Sequence, residues 1–109
     1  MKLKPFSALV AEDLRDPVFA AAYLDASSRE GDPAFMLRAL RKVVEVQGGV
    51  GELARRTRLS RTSLYKTLSP RGNPEVATLD AILGVYDLRL SFSPVVRERR
   101  GRYRAKRRR

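Results

Sequence analysis

The side chains of this chain best equipped to do chemistry are its cations. Lys and Arg number 23 against 12 Asp and Glu, a formal net charge of +11, and the sequence contains neither His nor Cys. Without His the commonest general base and metal ligand is missing; without Cys there is no thiolate nucleophile, thiolate metal site or disulfide. No phosphate-binding glycine motif, metal-ligand cluster or catalytic triad can be assembled from the remaining spacings. The expectation is therefore a protein that is not an enzyme and uses no metal or cofactor. A surplus of Arg and Lys suits a polyanion, whose condensed counterions are released on binding.

The cations fall into two groups. The first is the C-terminal run Arg97, Arg99, Arg100, Arg102, Arg104, Lys106, Arg107, Arg108 and Arg109, opposed only by Glu98; it carries +8 and leaves +3 for residues 1–94. Such a tail reads as disordered when free and as a non-specific nucleic-acid arm, or as a solvated end. The second group clusters between residues 55 and 71. Arg61, Thr62, Ser63, Tyr65 and Lys66 occupy the outward positions of a short helical pattern whose inward positions are Leu64 and Leu68. None is acidic, and each can hydrogen-bond a base edge or a phosphate. An Arg in the first turn can pair with both acceptors of guanine. Arg55, Arg56, Arg58 and Arg71 flank this segment and suit the sugar–phosphate backbone.

Helices must position these groups. Aromatic residues make up 7% of the chain and Trp is absent, so Leu, Val and Ala must build the core. That composition suits an all-α packing, and 109 residues make one domain. Residues 5–30 read as helical. Asp16-Pro17 is a start signal, and Val18, Ala21, Ala22, Tyr23 and Ala26 form an apolar stripe before Gly31. Asp32-Pro33 repeats the signal; Phe35, Leu37, Leu40, Val43 and Val44 follow at helical spacing, opposite a mostly basic face, and Gly48-Gly49 stops the run. A short helix over 50–57, buried through Leu53 and Ala54, precedes one capped by Ser60 over 61–68. After the breaker-rich loop 69–74, a last helix holds Val76, Leu79, Ile82, Leu83 and Tyr86. Residues 88–94 alternate apolar and polar like a strand, with Leu88, Leu90 and Phe92 on one side. A lone strand needs a partner, so the expectation is pairing with a second copy in a homodimer, or else an extended segment packed on the helices.

Two short helices joined by a three- or four-residue turn, with small Ala54 at their crossing and Leu59 beneath the turn, form a helix-turn-helix pattern over residues 49–69. The bland alternative is a helical hairpin. Glu52 is explained by the macrodipole of its helix's first turn, and Tyr23 and Tyr86 by the core. No run of about 18 apolar residues exists to span a membrane, and a cytoplasmic protein is expected.

Taken in order, Gly31-Asp32-Pro33, Glu52-Leu53-Ala54-Arg55, Leu59-Ser60-Arg61, Ser63-Leu64-Tyr65-Lys66, Leu68-Ser69 and Gly72-Asn73-Pro74 resemble the addiction-module antidote proteins of the Xre/Cro-like helix-turn-helix class, over about residues 5–94. That family often has Gly where this chain has Arg58, and Ser where it has Gly51. The resemblance implies a five-helix, lambda-repressor-like DNA-binding domain over residues 1–94, with residues 95–109 as the tail. It also implies a type II antitoxin that binds a small toxin and represses its own operon by binding operator DNA. Its recognition helix falls on Arg61, Thr62, Ser63, Tyr65 and Lys66. Two other readings are a free-standing regulator without a toxin and a non-specific nucleic-acid binder driven by the tail.

Overall fold

The computed structural model describes residues 13–96, and the calls on residues 5–12 and on the Arg-rich tail lie outside them. Five helices form among the described residues: α1 (Pro17–Ser28), α2 (Pro33–Val46), α3 (Gly49–Thr57), α4 (Arg61–Thr67) and α5 (Val76–Val85). None is long and apolar enough to cross a membrane. The starts of α1 and α2 share one chemistry. Asp16 and Asp32 each accept a hydrogen bond from the backbone N–H two residues on, at 2.9 and 3.0 Å, with Pro opening the helix.

α1 lies on α2, and α3 touches α2, α4 and α5, so α3 links the α1–α2 pair to α4 and α5. Leu40, Val43 and Val44 of α2, Leu53 of α3, Leu64 and Leu68 beside α4, and Ile82 of α5 close the core. Gln47 ties the chain ahead of α1 to the end of α2 by donating to the Leu14 carbonyl at 3.0 Å. Gly48 and Gly49, both at positive φ, then reverse the chain into α3. Tyr86 is 5% exposed, and burial pushes its hydroxyl up to about 12, with Arg56 and Glu52 of α3 as the neighbouring charges.

Three expectations about the core are corrected. α1 buries Ala20 and Leu24, while Val18, Ala21, Ala22 and Ala26 are exposed and Tyr23 is half-buried. The helix is apolar on nearly every side, so its sequence offers no contrast from which to read the inward face. Phe35 lies 43% exposed with the Arg38 guanidinium over its ring at 5.4 Å, and Val76 is 72% exposed at the first turn of α5.

No strand forms among the described residues, and 88–96 is irregular. Its course is set where α5 ends. Asp87 takes a left-handed φ of 62°, its N–H donates to Gly84 at 3.2 Å, and the Leu88 N–H reaches back to Leu83 at 3.0 Å. This pair of bonds is a Schellman ending, which turns the chain back toward α1. Leu88 is half-buried there, whereas Leu90 and Phe92 are exposed.

Candidate functional site

α3 and α4 are joined by residues 58–60. The turn satisfies its own polar groups: the Thr57 hydroxyl donates to the Leu53 carbonyl at 2.8 Å and accepts the Leu59 N–H at 3.3 Å, and the Arg58 N–H donates to Ala54 at 2.8 Å. Ser60 then caps α4 by accepting from the Ser63 N–H at 3.0 Å. Leu59 and Ala54 are half-buried against the core, and Leu64 of α4 is wholly buried in it.

With Leu64 and Leu68 fixed inward, the helical period leaves Arg61, Thr62, Ser63, Tyr65 and Lys66 outward, and all five are exposed. Arg55, Arg56, Arg58 and Arg71 are exposed as well. Arg55 is not a free cation. It makes a two-pronged ion pair with Glu52, one contact of which measures 3.1 Å, so Glu52 is held below the usual carboxylate range by that hydrogen bond and Arg55 is raised by it. Glu52 is therefore a partner that orients Arg55 as well as a first-turn acid.

Two interactions escape a reading by spacing alone. Arg41 of α2 places its guanidinium 5.5 Å from the Tyr65 ring centre while pairing with Glu45 at 3.1 Å, so a residue far away in sequence steadies the outward face of α4. The basic face of α2 was its only signal. Arg61 folds across the first turn of α3: a Cβ on Gly51 would lie 2.9 Å from its guanidinium.

Arg58 sits at φ 67°, ψ 16°, the left-handed conformation that favours glycine. Arg58→Gly is expected to raise stability by about 1 kcal/mol, the relief of strain exceeding the entropy that glycine adds to the unfolded chain. Denaturant midpoints of the two proteins measure this; a lower midpoint for Arg58→Gly would mean that the Arg side chain makes stabilising contacts larger than the strain.

The fold is thus a small helical protein whose two shortest helices present a cationic, acid-poor face. Residues 2–94 match the model of the probable addiction module antidote protein family, and the chain belongs to that family. Membership assigns it an antidote role toward a toxin partner in general. No curated protein and no solved structure matches the chain.

Proposed function

We propose that the chain is a sequence-specific DNA-binding antitoxin of a type II module, with no catalytic activity, that represses its own operon as a homodimer or with the toxin bound. In this reading α3 and α4 form an Xre/Cro-like helix-turn-helix, with α4 in the major groove of operator DNA. The supporting observation is the outward face of α4. It carries five exposed hydrogen-bonding side chains without a carboxylate, within a segment (residues 38–71) that holds nine cations against two acids. Arg61, Thr62, Ser63, Tyr65 and Lys66 read bases, while Arg56, Arg58, Arg71 and the Glu52-oriented Arg55 hold the backbone.

The +8 of residues 95–109 supports a second reading, non-specific binding driven by the tail. A titration at two salt concentrations separates the two, comparing the DNA upstream of the gene with a scrambled duplex, with and without residues 95–109. Specific recognition predicts a preference of about a thousandfold that survives removal of the tail, with a shallower salt dependence. Loss of all affinity together with the tail would make α3 and α4 a scaffold and the tail the binding element.

A further inference from the structure

The outward stripe of α2 carries Arg38, Arg41, Lys42 and Glu45, opposite the buried Leu40, Val43 and Val44. Two of its arginines lie over aromatic rings, and the two rings belong to different helices. Arg38 covers Phe35 of its own helix at 5.4 Å, whereas Arg41 covers Tyr65 of α4 at 5.5 Å. Arg41 is also held by a carboxylate, since its Nε donates to Glu45 at 3.1 Å. A planar guanidinium can pair through its edge and stack through its face at once, which a lysine ammonium cannot. The ion pair is exposed, with side chains 39% and 52% accessible, so it adds little to stability. Its effect is on direction: Glu45 fixes the guanidinium where the ring packs.

Tyr65 is exposed on a helix of only seven residues. It stands one turn after Arg61 on the same flank of α4, at i, i+4. Both long side chains of that flank are therefore backed from another helix: Arg61 by the bare Gly51 of α3, and Tyr65 by Arg41 of α2. A side chain already held in place loses less rotamer freedom when it meets a ligand. The charge of Arg41, in contrast, is answered by Glu45, which offsets any attraction to phosphate.

We propose that Arg41, oriented by Glu45, is a positioning residue for DNA recognition, holding the Tyr65 ring in the orientation from which α4 reads bases. The proposal rests on the DNA-reading role of α4 and extends that site to a third helix. Preference for the native duplex, rather than affinity for duplexes in general, then depends on α2.

The full chain is titrated against the DNA upstream of its gene and against a scrambled duplex, as wild type, Arg41→Ala, Glu45→Ala, Tyr65→Ala and Arg38→Ala. Each change places a good helix former on a solvent-facing side of its helix, so the fold is kept, which thermal unfolding verifies. Arg41→Ala is expected to lower the ratio of native to scrambled affinity by about threefold to tenfold. Glu45→Ala tests the sign. It removes a carboxylate, so a purely electrostatic role predicts tighter binding to both duplexes at an unchanged ratio. Positioning predicts a lower ratio in spite of the added charge. Arg38→Ala removes the same charge from the same stripe, over a ring of its own helix, and is expected to leave the ratio unchanged. Arg41→Ala added to Tyr65→Ala should discriminate no worse than Tyr65→Ala alone, because both act through one ring. Equal losses of Arg41→Ala on the two duplexes make Arg41 a phosphate contact and overturn the proposal. An unchanged ratio for Glu45→Ala, or a fall for Arg38→Ala as large as that for Arg41→Ala, overturns it as well. All three of these outcomes spare the DNA-reading role of α4. A wild type that prefers neither duplex overturns that role, and the proposal with it.

Discussion

Gly72→Ala is expected to destabilise the protein by about 3 kcal/mol, the upper part of the range for forcing atoms into filled space. The loop after α4 is a tight turn in which the Gly72 N–H donates to the Ser69 carbonyl at 2.8 Å, with Pro70 and Arg71 between them. Ser69 holds the start of that turn against α4 by donating its hydroxyl to the Lys66 carbonyl at 2.8 Å. The turn therefore folds over the last residues of the helix, and an added Cβ on Gly72 would lie 2.0 Å from the Thr67 carbonyl oxygen and 3.0 Å from that of Lys66. Backbone cannot rotate away as a side-chain tip can, so either the turn or the end of α4 must move. A domain of this size is expected to lose more than about 10 °C of Tm. Gly84→Ala is the matched control. It lies in α5 with nothing within 4 Å of its would-be Cβ, and replacing a helical glycine there is expected to gain about 0.5–1 kcal/mol. An unchanged midpoint for Gly72→Ala would show that the turn slides off α4 without cost.

The same residues mark how far the sequence could be read. The two Asp-Pro starts, the Ser60 cap and the inward pair Leu64 and Leu68 were legible because each is local: a cap bonds within three residues, and a helix face repeats every three or four. The inward face of α1 was not legible. Its composition is apolar nearly throughout, and packing against α2, which selects Ala20 and Leu24, is a tertiary choice. The left-handed turn at Arg58 was not legible in the residue itself, which points away from that conformation; the Gly that the resembled family often has at this position was the one hint. The neighbours of the outward face were also hidden. Arg41 meets Tyr65 across 24 positions of sequence, and Arg55 is committed to Glu52. The strand-like alternation of residues 88–94 has an intrachain reading as well: Leu88 turns inward under the Schellman ending, and Leu90 and Phe92 remain outside.

On the proposed reading of α4 as a DNA-reading helix, Arg61→Ala is expected to cost about 1–3 kcal/mol on the operator and to relax preference at one base pair. The structure gives this residue a position that the sequence did not show. Arg61 is the first residue of α4, and its guanidinium lies against the bare backbone of Gly51 in the first turn of α3. A second substitution that never touches Arg61 should therefore imitate its loss. Gly51→Ala puts a methyl group 2.9 Å from the guanidinium, and because that end of the side chain is flexible, Arg61 swings aside and the fold is kept. Replacing a glycine inside a helix also gains up to about 1 kcal/mol. Gly51→Ala is thus expected to be at least as stable as the parent and yet weaker on the operator, in the same direction as Arg61→Ala. The double variant should be no weaker on DNA than Arg61→Ala alone, since both changes act through one guanidinium. Affinities for native and scrambled duplexes decide the role. Losses confined to the native site make Arg61 a base reader positioned by Gly51. Equal losses on both duplexes make it a phosphate contact at the start of α3, and the discrimination then rests on Thr62, Ser63, Tyr65 and Lys66.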